Sequence, residues 1–142
     1  MTLSETKPTY AARMIDLEAD YDTVAPWWPA HGWAAVPRNI LPRLGVMIEI
    51  AGRPAAAAWL YMDNSIGVGM MEWAVTNPAN TPRESLKACT MLVDCIRDCA
   101  AQNDYGVVLT SAKQPALIRL YEKAGFQKTD EGMAHLIMLT KE

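Results

Sequence analysis

Ala116-Leu117-Ile118-Arg119-Leu120-Tyr121-Glu122-Lys123-Ala124-Gly125-Phe126 is the stretch on which the fold of this chain turns. Pro115 stands just ahead of it, and a proline is well tolerated in the first turn of a helix, where its missing N–H has no intrahelical partner to lose. Leu117, Leu120, Tyr121 and Ala124 recur at three- and four-residue steps, so one face is apolar. Gly125 is the residue best able to take the left-handed conformation that closes a helix, and Phe126 anchors the exit. The spacing predicts a short amphipathic helix from Pro115 to a stop at Gly125.

Immediately upstream, Tyr105-Gly106-Val107-Val108-Leu109-Thr110 is apolar on both faces, as expected of a central strand lying parallel to its neighbour. Before it, Thr81-Pro82-Arg83-Glu84 combines an N-cap threonine, a proline at the first helical position and the glutamate of a capping box. Leu86, Cys89, Val93, Ile96 and Ala100 then form a stripe, with Lys87, Asp94, Arg97 and Asp98 mostly away from it, and the helix is predicted to run to about Gln102. Strand, helix and strand make a right-handed crossover.

Further out, Val46, Ile48 and Ile50 alternate with Met47, Glu49 and Ala51, and Gly52-Arg53 turns into an apolar run from Ala55 to Met62. Another run follows from Ile66 to Val75, with Gly67 and Gly69 as candidate bulges and Asn77-Pro78 as its end. Residues 10–17 read as a first strand. Asp20 is the expected N-cap of a helix cut short by Pro26 and Pro29, and Pro37 to Leu41 adds one more turn. At the other end, the segment after Phe126 reads as a hairpin turning at Asp130-Glu131-Gly132 and ending near Leu139.

The 142 residues, 51% hydrophobic and 20% charged, are expected to form a single domain over 1–142 with a substantial core. Apolar stretches fall short of a bilayer span, and Met1 to Pro8 carries no signal segment, which makes a cytoplasmic protein without membrane association the expectation. Cys89, Cys95 and Cys99 share one helix and do not resemble a disulfide framework; no histidine completes a metal set with them. A net charge of −3 works against a general attraction to nucleic acid.

The segment from Ala116 to Phe126 closely resembles the part of GNAT acyltransferases in which a helix ending Leu-Tyr-Glu-Lys-x-Gly-Phe follows the fifth strand. The order of strands and helices fits that family from about residue 10 to 140. The resemblance implies an α/β fold in three layers: a mixed, mainly antiparallel sheet with a central splayed parallel strand pair and about four helices. It also implies an acyl-CoA donor, acetyl-CoA or a relative, and an amine acceptor. In the family the pantetheine arm lies between the diverging strands, and the N-terminus of the following helix faces the pyrophosphate, as free N–H groups and a positive helix end would favour.

By that resemblance Trp73, Ala74 and Val75 flank the arm, while Asn80, Thr81, Arg83, Ser85, Gln114 and Tyr121 contact the rest of the donor. The sequence departs from the family at the phosphate loop, Asn77-Pro78-Ala79-Asn80-Thr81-Pro82-Arg83-Glu84-Ser85, which has neither of the two expected glycines and contains two prolines that donate nothing. A smaller cradle assisted by Asn80, Thr81 and Arg83 is the expectation. Gln114 stands where the family often has Asn.

A softer similarity, to small phage-encoded members compared with Mom-like DNA-modification enzymes, rests on His31-Gly32-Trp33, Trp59-Leu60-Tyr61, Glu72-Trp73 ahead of Asn77-Pro78, and Gly132-Met133-Ala134-His135. It points to a bacteriophage origin and makes a modified DNA base one acceptor beside a small amine or a protein amine. Monomer and homodimer both stay open, as does a degenerate binding protein without catalysis.

Acyl transfer to an amine needs the amine deprotonated, the carbonyl polarised and the departing thiolate protonated. Glu72, a carboxylate inside an otherwise apolar strand, is the candidate base; its alternative is an ion pair with Arg43 or Arg119. Tyr121 is the candidate acid by resemblance, with core packing as its alternative. Trp27, Trp28, His31 and Trp33, with Tyr61 and His135, are candidate acceptor-side residues, the aromatic ones able to stack on a planar ring or to serve as ordinary core.

Overall fold

The computed structural model describes residues 7–140. Its elements in order are β1 (Tyr10–Met14), α1 (Leu17–Val24), α2 (Trp27–Ala30), a 3₁₀ turn (Arg38–Ile40), β2 (Gly45–Ile50), β3 (Arg53–Met62), β4 (Val68–Thr76), α3 (Pro82–Gln102), β5 (Val107–Thr110) and α4 (Pro115–Lys123). The sheet runs in chain order β1-β2-β3-β4-β5. Its first four strands pair antiparallel, and β4 and β5 pair parallel.

β2 and β3 are buried on both faces because helices cover the sheet on each side. On one side Val46, Ile48, Ala56, Ala58 and Leu60 pack against Ala88, Leu92 and Ile96 of α3 and Tyr121 of α4. On the other, Met47, Ala57 and Trp59 meet Val24, Trp27 and Trp28 of α1 and α2. The run of alanines in β3 lets both layers approach the sheet closely.

Local signals in the sequence fix the helix ends. Thr81 and Glu84 form the reciprocal capping box with Pro82 in the first turn. Gly125, at φ +116°, follows α4, and the Phe126 N–H returns to the Tyr121 carbonyl while the two rings meet at 5.5 Å.

Other readings need correction. The N-cap of α1 is Asp16, not Asp20; Asp20 is buried and accepts from the two terminal Arg13 nitrogens, Nη1 and Nη2, at 2.8 and 2.9 Å, and from the Asp16 N–H. The α3 stripe is shifted: Ala88 and Leu92 are buried with Val93, Ile96 and Ala100, whereas Leu86 is exposed. The predicted hairpin after Phe126 forms no ladder among the described residues, so the parallel pair that was expected at the centre of the sheet lies at its edge. Val107 and Leu109 are consequently half in solvent.

The bulge of β4 is also elsewhere. Gly67 lies in the turn before the strand at φ +72°, and Gly69 makes room for Leu60, whose Cδ1 would lie 2.9 Å from an added Cβ. The register slips instead between Trp59↔Glu72 and Ala57↔Val75, so Trp73 and Ala74 together oppose Ala58, and Trp73 takes φ +64°. A tryptophan rarely adopts this conformation. Its surroundings hold it there: Trp28 Nε1 donates to the Trp73 carbonyl at 3.3 Å, and Trp73 Nε1 donates to the Tyr61 hydroxyl at 2.7 Å.

Candidate functional site

The bulge opens the sheet. Pairing of β4 with β5 runs from Val68↔Val107 to Met71↔Thr110 and stops there, while β4 continues to Thr76. The Thr110 hydroxyl donates to the Met71 carbonyl at 2.7 Å and closes the last rung. Beyond it, side chains rather than a strand take the carbonyls of β4: Trp28 that of Trp73, and His31 Nε2 that of Thr76 at 2.9 Å. Beyond this rung β4 and β5 no longer pair, and the gap beside residues 72–76 is the candidate wedge.

Glu72 and Tyr121 lie close enough for the charge of one to act on the hydroxyl of the other. Glu72 is half-buried and has no hydrogen bond or ion pair among the described residues; neither Arg43 nor Arg119 approaches it closely enough to pair. Burial, the dominant cause, pushes its carboxyl above the usual range, with His135 working against it. The Tyr121 hydroxyl is pushed strongly up, first by burial and then by Cys89 and the Glu72 charge, and so stays protonated at every physiological pH. Tyr61 is raised chiefly by burial, with Glu72 again contributing. Glu72 therefore lies within electrostatic reach of both tyrosines and of His135.

Trp73, the next residue along β4, gathers other aromatic side chains. His135 lies on Trp73, ring centroids 5.2 Å apart, and Trp73 is tied to Tyr61, whose hydroxyl in turn donates to the Ile40 carbonyl. His31 and Trp33 stack at 5.2 Å near Thr76 at the far end of the wedge. Trp27 and Trp28, expected on the acceptor side, are instead core residues; Trp28 packs on Trp59 at 5.7 Å, and both are almost fully buried. Their role is to seat α2 and hold the bulge.

Of the residues expected to flank the donor, Val75 is buried in the core, while Trp73 and Ala74 form the bulge beside the wedge. Gln114 is the exposed N-cap of α4 and makes no capping bond. Asn80 is turned inward: its amide donates to the Ala55 carbonyl and Ser85 Oγ, and its oxygen accepts from Arg53 at 2.8 Å. Arg83 is exposed and makes no ion pair among the described residues. Thr81 is spent on the capping box, and Glu84 pairs with Arg53 at 3.3 Å.

Sequence reasoning missed Thr110 and Arg53. Thr110 was detectable only as a hydroxyl ending an apolar run, and nothing local marks Arg53, whose partners lie 27 and 31 residues away. The cysteines are unpaired, and Cys89 is a partly buried thiol that desolvation pushes up to about 11, which leaves it inert near neutral pH. No group of three or more metal-ligating side chains occurs among the described residues. No described helix is long and apolar enough to cross a membrane. An apolar cavity of about 620 Å³ lies between α3, β5 and the end of α4; it is lined by neither Glu72 nor Tyr121.

No protein-family model matches the chain, and no curated protein matches it in sequence. Solved structures match it in shape. Glucosamine-6-phosphate N-acetyltransferase from Arabidopsis thaliana superposes with a TM-score of 0.64 at 13% identity, over 92% of this chain and 99% of that one. An aminoglycoside N-acetyltransferase in complex with CoA gives 0.64 at 13% identity, over 96% of this chain and 100% of that one. A predicted acetyltransferase with acetyl-CoA from Clostridium acetobutylicum gives 0.63 at 17% identity, over 90% and 96%. The chain has the α/β fold of these GNAT acetyltransferases.

Proposed function

We propose that this chain is an N-acyltransferase that moves an acyl group from a pantetheine thioester, acetyl-CoA in the simplest case, to an amine. One observation carries the reading. The β4–β5 ladder stops at Met71↔Thr110, and just past that rung an unpaired carboxylate, Glu72, lies within electrostatic reach of a protonated phenol, Tyr121. The fold of the neighbours, two of them with CoA or acetyl-CoA, supports the donor class.

A thioester supplies an activated acyl group. The chain's own residues supply the rest. Glu72, directly or through a water, takes a proton from the incoming ammonium and so frees the lone pair that forms the N–C bond; burial makes it a stronger base than an exposed carboxylate. Tyr121 donates its proton toward the departing sulfur as the C–S bond breaks. Backbone N–H groups along the bulge from Trp73 to Val75 are the donors for charge developing on the carbonyl oxygen. Holding both reactants in one slot contributes more than either proton transfer.

The acceptor amine enters past Trp73, His135 and Tyr61, and a planar ring on it would stack there. The narrower form of the reading, a phage enzyme acting on a modified DNA base, rests on the sequence resemblance alone, and the net charge of −3 counts against duplex DNA. Thiol release from acetyl-CoA, measured against a panel of aromatic amines, polyamines, peptides and nucleosides, tests the proposal. Turnover that falls about 10²-fold in Tyr121→Phe is the expected result. Absence of turnover with every amine, or an unaffected Tyr121→Phe variant, contradicts it.

A further inference from the structure

We infer that this protein recognises its donor through the pantetheine arm and draws little affinity from the nucleotide diphosphate. The inference rests on the acyltransferase reading above and concerns the loop between β4 and α3. Its backbone donors are nearly exhausted. Asn77 N–H goes to the Ala55 carbonyl, Ala79 to the Asn77 side chain, Asn80 to the Asn77 carbonyl, Thr81 to the Glu84 carboxylate, Glu84 to the Thr81 hydroxyl and Ser85 to the Thr81 carbonyl. Pro78 and Pro82 have no N–H. Between Asn77 and Ser85, only the Arg83 N–H lacks a partner among the described residues.

The charge at this helix end is equally committed. The Glu84 carboxylate sits in the first turn of α3, where the positive end of the helix would otherwise attract an anion. Arg53, a partly buried cation that reaches this helix end from β3, is held by Asn80 and Glu84. A diphosphate approaching here meets one free N–H and the exposed Arg83 guanidinium, set against a carboxylate. Three or four charge-assisted N–H bonds are worth well over roughly 100-fold in affinity, and this loop cannot offer them.

The wedge is a different matter, because residues 72–76 of β4 have no strand paired on their β5 side. The chemistry that fits is an amide-bearing arm ending in a thioester. Such an arm arrives on coenzyme A or on the phosphopantetheine of a carrier protein.

The test compares donors on the full chain with one amine. Acetyl-CoA, S-acetylpantetheine and a carrier protein bearing an acetylated arm are assayed for kcat/KM, and CoA and pantetheine are titrated by calorimetry. The expected result is that S-acetylpantetheine lies within about tenfold of acetyl-CoA in kcat/KM, with a matching ratio of dissociation constants. Comparing the carrier arm with acetyl-CoA identifies the source.

In Glu84→Gln the capping box survives, since glutamine fills the same position, but the charge is gone and Arg53 keeps only its hydrogen bond to Asn80. CoA should then bind about three- to tenfold tighter, with pantetheine unchanged. A preference for acetyl-CoA above about 100-fold, or a Glu84→Gln variant that leaves CoA affinity unmoved, overturns the inference while leaving acyl transfer standing. Failure of every donor to bind or react overturns both.

Discussion

Replacing Glu72 by glutamine should make the protein more stable and less active at once. The side chain is half-buried with no ion pair among the described residues, and burial raises its carboxyl above the ordinary value of 4.5. A raised acid is stabilising only when protonated. Its contribution is whole below pH 4.5 and is lost as pH rises through the higher folded value, so at pH 7 the native state carries an uncompensated charge. Glutamine keeps the shape and removes the charge. Because much of the group still reaches water, the gain is no more than about 1 kcal/mol.

For a chain of this size that corresponds to a rise in Tm of about 1–4 °C at pH 7, closing as pH is lowered toward 4.5. The same variant loses the base, which costs about 10²–10⁴-fold in kcat/KM. Scanning calorimetry at several pH values, paired with a thiol-release assay, reads both. A Glu72→Gln protein that is less stable at pH 7, or equally active, refutes the reasoning, because a merely structural carboxylate would not separate the two readouts in this direction.

Asp20→Asn should cost about 1–2 kcal/mol in urea melts, since it breaks a two-pronged charge-assisted contact whose arginine is partly exposed. Arg13 holds the Asp20 carboxyl below 3.8; the stabilisation is present above that value and lost as pH falls through the lower folded one, so the difference between Asn and Asp should shrink in acid. Gly45→Ala would place a Cβ 2.6 Å from Trp59 Nε1 in the interior and should cost about 1–3 kcal/mol, visible as a lower denaturant midpoint with an unchanged m-value. An unaltered midpoint would mean that Trp59 repacks freely.

The parts of this molecule legible in its sequence are those decided within a turn or two of chain. Thr81, Pro82 and Glu84 specify the start of α3 among themselves, and Pro115 and Gly125 bracket α4 in the same way. The bulge was not legible. Glycine is the usual occupant of a left-handed position, so Gly67 and Gly69 drew the expectation, whereas Trp73 is forced there by Trp28 and Tyr61 from 45 and 12 residues away.

Asp20 misled for a similar reason: its preference for a cap was overridden by Arg13. In the site, Glu72 stood out as a charge in an apolar strand, and Tyr121 through the motif around it. Trp27 and Trp28 looked like Trp33 in sequence, and only packing separates the two buried rings from the exposed one. Loss of the phosphate glycines was visible, but the consumption of the remaining N–H groups depends on where Ala55 and the Asn77 side chain lie.

The wedge itself can be tested by following backbone amide resonances while coenzyme A is added. The account predicts shifts centred on residues 72–76 and on Thr110, with only minor movement at Arg83 and its neighbours. Shifts that leave residues 72–76 untouched would contradict it.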